Sequence, residues 1–288
     1  MKIKDLYKKS DKIPISFEIF PPKEDIDKRK LVKLYEQLDI LRNYNPSLIS
    51  VTYGAGGSNN DLSFEIVKDL VKFNFNVMPH FTCICTKKDM IDDRLEKLKS
   101  MNIENILALR GDKPKEATVC YSDFRYANEL VEYLTISTDF SIGVAGYPEG
   151  HFNSADLNED IKYLKQKVLA GGDVIYTQLF FDNDKMYKYL DLLRQNKIEK
   201  PVIAGILPII SYSQLDRMLS LAKVTVPKKL FEKLEKFRDN DDDIKKIGID
   251  YATEQCMDLI SNEIEGLHFY TLNKAYSTSK ILDNLNLK

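Results

Sequence analysis

The sequence predicts an α/β protein of the (β/α)8 TIM barrel class, a single domain over residues 1–288 with extra helices before the last strand. Three observations carry that prediction. Short β-rich runs recur eight times, the stretches between them carry helical periodicity, and no low-complexity or Gly/Ser-rich seam divides the chain. Apolar strands each followed by a helix call for a parallel sheet covered on its outer face, and eight such units at roughly thirty-residue spacing favour closure into a barrel.

The elements follow in order. The first run is IPISFEIF, in which Ile15, Phe17 and Ile19 alternate with Ser16, Glu18 and Phe20 before two prolines end it. A strand there aims Glu18 at the face opposite the three apolar residues. Leu31, Leu34, Tyr35, Leu38 and Leu41 then mark a helix. The second run, SLISVTYG, leads into GAGGSN, and Leu62, Ile66, Val67 and Leu70 mark the next helix. That glycine stretch superficially fits a dinucleotide motif, but its third glycine is missing and the following strand ends in His80, Phe81 and Thr82 rather than in a ribose-binding acid. A Rossmann reading fails on both counts, although the glycines still permit close approach of a ligand.

FNVMPHFTC, NILALRGD, FSIGVAGYP, DVIYTQLFF and PVIAGILP supply runs three to seven, with a helix marked by Ile161, Leu164, Val168 and Leu169 before the sixth. The longest gap precedes the eighth run, GLHFYTLN, and holds VPKKLFEKLEKF, an acidic DNDDD, and a helix through Tyr251, Met257 and Ile260. Carboxylates opening a helix complement its dipole, so DNDDD is given a structural role.

Hydrophobic residues make up 43% and charged residues 30%, a composition able to bury a sizeable core. Forty-two basic against 44 acidic side chains leave a net charge of −2, no footprint for nucleic acid or an anionic membrane, so a small-molecule partner is expected. The start MKIKDLYKKSDK lacks the apolar core of a signal peptide, and VIAGILPII is too short to span a membrane; a cytoplasmic protein is expected. Cys83, Cys85, Cys120 and Cys256 show no framework spacing, so reduced thiols are expected. His80, Cys83 and Cys85 form an H-x-x-C-x-C string, but without a second cluster it reads as strand packing and no metal is expected.

In such a barrel the chemistry sits at the C-terminal ends of the strands. Polar residues fall there on seven of them: Glu18, Thr52 with Tyr53, His80, Arg110 with Asp112, Tyr147, Gln178, and Tyr270 with Asn273.

SFEIFPPK, PSLISVTYGAGGS, PHFTC, ILALRGDKP, GYPEGH, TQLFFD, AGILPI and HFYTLN occur in this order, and together they closely resemble the flavin-dependent 5,10-methylenetetrahydrofolate reductases from about residue 13 to 276. The resemblance implies a bacterial-type FAD barrel without the regulatory domain of the animal enzymes, FMN being the less favoured flavin. It implies that NADH or NADPH passes hydride to the flavin and leaves, and that methylenetetrahydrofolate takes its place and is reduced to methyltetrahydrofolate. The product would supply methionine synthesis or, in some anaerobes, carbon fixation.

Residue roles follow from the same resemblance. Glu18 matches the general acid that protonates nitrogen-10 of the folate, and its apolar setting is expected to raise its pKa. Asp112 matches the aspartate that stabilises the opened iminium and tunes the flavin. Thr52, Tyr53, Ala55, His80, Arg110, Gly111, Asp112, Tyr126, Ala127, Tyr147, His151, Asp160 and Lys167 match the FAD-binding pattern. Gln178 matches a folate-binding glutamine, Tyr212 an aromatic that stacks on nicotinamide, and Lys274 stands where some members bind the glutamate tail with arginine. Tyr163 and Gln166 depart from an asparagine and an arginine common in the family, so one phosphate or adenosine contact is expected to be missing. A homo-oligomer is expected. Two other readings stay open: a pterin-binding methyltransferase barrel without flavin, and a flavin subunit reduced by a partner flavoprotein or ferredoxin.

Overall fold

Each of the eight predicted runs forms a strand, and the strands are parallel, pair in chain order and close on themselves. The computed structural model describes residues 1–7, 12–22, 28–52, 60–112 and 120–288. The strands are β1 (Ile15–Ile19), β2 (Leu48–Val51), β3 (Val77–Thr82), β4 (Asn105–Leu109), β5 (Ser141–Gly146), β6 (Val174–Thr177), β7 (Val202–Ile206) and β8 (Gly266–Tyr270). Closure sets β8 beside β1, with Ser16 level with His268 and Glu18 level with Tyr270. Residues about 250 positions apart in the chain thereby become neighbours.

The helices among the described residues are α1 (Ile3–Leu6), α2 (Lys28–Arg42), α3 (Asn60–Lys72), α4 (Lys88–Ser100), α5 (Ala127–Ser137), α6 (Leu157–Leu169), α7 (Asn183–Gln195), α8 (Tyr212–Leu221), α9 (Lys228–Glu235), α10 (Asp241–Ser261) and α11 (Ala275–Asn284). Outward strand residues such as Phe17, Ile49 and Phe269 pack with Leu34, Leu38, Ile66 and Leu130 from this ring in the main core. Strands covered on both faces explain the near-continuous apolar runs in the sequence.

The barrel interior has its own core. Leu48, Met78, Leu107, Val174, Tyr176 and Ile203 cluster there with Ile3 and Tyr7. Gly143 leaves room for them, since a Cβ at that position would stand 3.1 Å from both Leu107 and Tyr176. The short helix α1, which no periodicity in the chain announced, closes the N-terminal end. Ile3 N donates to Asn105 Oδ1 at 2.7 Å, Lys4 N to Ser141 Oγ at 3.2 Å, and the Tyr7 and Tyr176 hydroxyls meet at 2.9 Å.

The helices before β8 are present as expected. DNDDD opens α10 structurally: Asn240 caps it, its Oδ1 accepting from Asp242 N and Asp243 N. A satellite core of Leu179, Phe181, Leu207, Leu215, Leu230, Leu234 and Ile244 binds α8, α9 and α10 to the strand ends.

One expectation is overturned. Cys85 and Cys120 form a disulfide, while Cys83 and Cys256 are free and buried. Their separation of 35 residues hid this, because only the fold sets the segment after β3 against the segments that follow β4. Ile84 N donates to Arg110 O at 2.8 Å and Asp123 N to Thr86 O at 3.3 Å across that seam. The H-x-x-C-x-C string is thus dispersed, His80 pointing into the barrel, Cys83 lying in the outer core and Cys85 in the disulfide. No helix among the described residues is long and apolar enough to cross a membrane.

Candidate active site

Glu18 faces the barrel interior near its C-terminal mouth and is 6% exposed. The end of β8 fixes the end of β1 around it. Thr271 Oγ1 donates to Glu18 O at 2.7 Å, while Asn273 accepts from Phe20 N at 2.8 Å and donates to Phe20 O at 2.7 Å. The prolines that follow leave Phe20 no strand partner to continue with, so Asn273 takes over its backbone.

Two histidines approach the carboxylate. His80 Nε2 lies 3.3 Å and His268 Nε2 3.9 Å from Glu18 Oε2. Their effect reverses an expectation. Burial by itself pushes the Glu18 carboxyl up, but His268 and His80, through hydrogen bonding and charge, together outweigh it and bring it down to about 2. The sequence displayed the apolar neighbours of Glu18 along β1 and concealed the imidazoles facing it from β3 and β8.

The remaining polar groups divide between two places. An open cleft of about 580 Å³ is lined by Asp112, Tyr147, His151, Gln178 and Lys223 among others. Tyr147 and His151 stack edge to face at 4.7 Å, and burial pushes the Tyr147 phenol up to about 12. Burial holds His151 below the usual imidazole range. Gln178 is held by its own Oε1, which accepts from Leu179 N at 2.9 Å.

Beside the cleft, Lys167 donates to Ala145 O at 2.5 Å, and its ammonium lies 5.8 Å from the Tyr147 ring. Burial lowers this lysine to about 8, against the pull of Asp160. Asp160 itself is raised by burial, with Ser154 Oγ donating to it at 3.1 Å. Gly111 turns the chain after β4 at φ +85°, where a Cβ would come within 2.8 Å of Ile84. Only glycine adopts that turn cheaply. Arg110 Nε donates to Gly111 O at 3.3 Å.

Other sequence-predicted residues lie apart from this lining. Thr52 is half-buried at the end of β2, its N–H donating to Ile19 O at 3.0 Å. Tyr126 and Ala127 open α5, with Tyr126 exposed and the Arg125 guanidinium 5.2 Å from its ring. Tyr212 starts α8 and donates to Glu235, while Arg238 covers its ring at 4.8 Å. Lys274 is exposed at the N-terminus of α11. Tyr163, one of the departures, donates to Glu159 at 3.0 Å on the α6 surface. Tyr53 and Ala55, with the GAGGSN stretch, lie outside the described residues.

Sequence reasoning missed two features. His268 was quoted only as part of HFYTLN, although Ser16 and Glu18 share a face of β1 and strand alternation puts His268 and Tyr270 on one face of β8. Glu149 of GYPEGH carries a side chain that is 7% exposed; it accepts from Thr225 N at 2.8 Å, Thr225 Oγ1 at 2.6 Å and Lys185 Nζ at 2.5 Å. It ties the segment after α8 to the edge of the cleft.

The family described as Methylenetetrahydrofolate reductase matches residues 2–286. The chain is 38% identical to "Methylenetetrahydrofolate reductase (NADH) 1" of Arabidopsis thaliana, over 94% of this chain and 48% of that protein. It is 34% identical to the 5,10-methylenetetrahydrofolate reductase of Buchnera aphidicola, over 94% of this chain and 91% of the other. It therefore spans about half the length of its plant and fungal relatives. A solved structure from Clostridium thermocellum, which binds two copies of 5-methyl-5,6,7,8-tetrahydrofolic acid, superposes with a TM-score of 0.61 over 94% of this chain and 93% of that one. At 14% identity that likeness shows the fold alone. A family match over nearly the whole chain, with a bacterial relative above 30% identity along most of its own length, shows that this chain belongs to the methylenetetrahydrofolate reductase family.

Proposed function

We propose that this barrel reduces the one-carbon bridge of 5,10-methylenetetrahydrofolate to the methyl group of 5-methyltetrahydrofolate, using FAD and a reduced nicotinamide nucleotide. The observation that carries the reading is Glu18, an interior carboxylate at the mouth of a barrel of this family, flanked by two groups that can carry protons. A cytoplasmic homo-oligomer serving one-carbon metabolism and methionine synthesis is the setting it expects.

The residues beside the cleft suit a flavin dinucleotide. Lys167 and Arg110 are half-buried cations fit for a pyrophosphate, and Gly111 permits a close backbone approach. His80 Nε2 is buried and turned toward the interior, 3.3 Å from Glu18 Oε2. When bound, the flavin supplies hydride transfer from the nucleotide to the folate carbon.

The protein supplies the proton and the setting. Nitrogen-10 is an arylamine too weakly basic to take a proton from neutral water, and Glu18 is placed to deliver one. Against the upward push of burial, His268 and His80 hold its carboxyl down at about 2, so Glu18 rests ionised at neutral pH. A pterin closing the mouth covers what little of the carboxylate is still exposed and favours its neutral, proton-bearing form. Asp112, exposed at the cleft, offers negative charge to the cation left when the bridge opens. Gln178, with its Oε1 engaged, has its Nε2 to donate to a pterin edge.

Anaerobic stopped-flow spectroscopy of the purified protein tests the reading. The expected result is a yellow protein whose flavin bleaches with NADH or NADPH and recolours with methylenetetrahydrofolate. A colourless protein that binds folate would make it a pterin-binding barrel without redox chemistry. A flavin that neither nucleotide bleaches would move its electron supply to a partner protein.

A further inference from the structure

Below Glu18 the interior holds an imidazole enclosed on every side. His268 is 1% exposed. Its Nδ1 lies 2.7 Å from Ser16 Oγ, and its Nε2 lies 3.4 Å from Ser50 Oγ and 3.9 Å from Glu18 Oε2. The rings of Tyr176 and Tyr270 stand edge-on to it at 5.3 and 5.4 Å. Both phenols are engaged elsewhere, Tyr176 with the Tyr7 hydroxyl at 2.9 Å and Tyr270 with Thr177 O at 2.7 Å.

Ser16 is the informative partner. Its hydroxyl stands 3.3 Å from Leu267 O as well as 2.7 Å from His268 Nδ1. When it donates to Leu267 O, its oxygen accepts an Nδ1–H; when it rotates, it donates to Nδ1. In the first state Nδ1 keeps its proton, and Nε2 is the nitrogen that gains or loses one toward Glu18. An imidazole so arranged passes from doubly to singly protonated without losing the Ser16 bond. His80, nearer the carboxylate, has no such hydroxyl at its Nε2.

We propose that His268, oriented by Ser16, is a positioning residue that keeps Glu18 supplied with the proton it gives to the folate. The inference rests on the function proposed above. As the Glu18 O–H bond breaks and the folate nitrogen–hydrogen bond forms, His268 Nε2 and Glu18 Oε2, 3.9 Å apart at rest, close to hydrogen-bond distance, the Nε2–H bond breaks and a new Glu18 O–H bond forms. The Nδ1–H goes on donating to Ser16 Oγ, no oxidation state changes in this step, and water at the open mouth restores the proton to His268 after product leaves.

The titratable groups facing this site are Glu18 on β1, His80 on β3, Tyr176 on β6, Tyr270 on β8 and, beyond Ser16, Tyr7 after α1. Burial first of all pushes the three phenols up, Tyr7 to about 12, so they stay neutral across the working range.

The test compares the half-reactions of the anaerobic holoenzyme in His268→Gln, whose amide still donates but cannot pass a proton on. Folate-driven flavin reoxidation should fall at least about tenfold more than nucleotide-driven reduction, short of the about 10²–10⁴-fold attributable to the general acid itself. The pH profile of that half-reaction should shift, because His268 is one of the groups that set the Glu18 ionisation. Ser16→Ala should give a smaller loss in the same half-reaction. The chain has three histidines, so nitrogen-15 NMR can follow each ring. Glu18→Gln should move the His268 ring signals more than those of His151. Equal losses in both half-reactions, an unshifted profile, or a His268 ring indifferent to Glu18→Gln would each overturn the proposal. If His268→Gln does not fold, Ser16→Ala and the NMR comparison of wild type with Glu18→Gln decide. A wild-type protein that carries no flavin would instead overturn the function.

Discussion

The two ends of the barrel interior are built on the same strands and differ completely in content. At the N-terminal end Leu48, Met78, Leu107, Val174 and Ile203 pack under the Ile3 and Tyr7 plug. One pleat further along, Ser50 follows Leu48, His80 follows Met78 and Gln178 follows Tyr176, around Glu18 and His268. A two-residue step along a strand stays on one face, so the change of character is a change of layer and not of direction. The lower layer is apolar and closed, while the upper holds ionisable groups whose partners are only partly inside the protein. The interior divides stability from chemistry along the barrel axis.

Substitutions in the two layers should therefore differ in kind. The largest effect is expected from Glu18→Gln, with folate-driven reoxidation falling about 10²–10⁴-fold and reduction by nucleotide close to normal. Stopped-flow of the two half-reactions measures this, and equal losses would make Glu18 a structural residue. Leu107→Ala in the lower layer should cost about 2–5 kcal/mol of stability by leaving a cavity. Urea unfolding reads that loss, and what folds should retain the wild-type ratio of half-reaction rates; a selective loss of the folate step would erase the contrast between layers.

A smaller effect separates the flavin pocket from both layers. Lys167 is lowered by burial to about 8, so in the flavin-free protein its ammonium is disfavoured below that pH and relieved as pH rises toward the ordinary lysine value. A bound pyrophosphate favours the charged form. FAD affinity should thus weaken above pH 8, by up to about tenfold per pH unit, while flavin-free stability rises over the same range. Titration calorimetry with FAD at several pH values checks the sign, and a flat profile in wild type matching that of Lys167→Met would remove Lys167 from the phosphate site. The smallest effect belongs to Tyr7→Phe, which breaks the Tyr7–Tyr176 hydrogen bond at the plug and should cost about 1 kcal/mol without altering either half-reaction. A change in the folate step would show that the plug communicates with Glu18.

Much of this was legible in one dimension. Alternation along ISFEIF set Glu18 opposite Phe17 and Ile19, and the strand pairing places it inside. The eight apolar runs were read correctly because a strand covered on both faces is apolar nearly throughout. The Glu18 ionisation was misread for a definite reason. Its apolar neighbours stand beside it in the sequence, whereas His80 and His268 reach it from β3 and β8. The Cys85–Cys120 disulfide escaped in the same way, through two segments that meet only after folding. Tyr212 carried the expected ring, but its hydroxyl and face are engaged by Glu235 and Arg238 from the neighbouring helical segment.

The sequence by itself determined the periodicities: which runs become strands, which faces are apolar, and that a carboxylate enters the interior near the mouth. Those are local properties, set by the two-residue repeat of a strand and the 3.6-residue repeat of a helix. Tertiary structure alone decided the charge on that carboxylate, the plug beneath it and the imidazole it faces. Each depends on contacts that exist only once β8 has closed against β1, because electrostatic influence falls with distance in space and takes no account of distance along the chain.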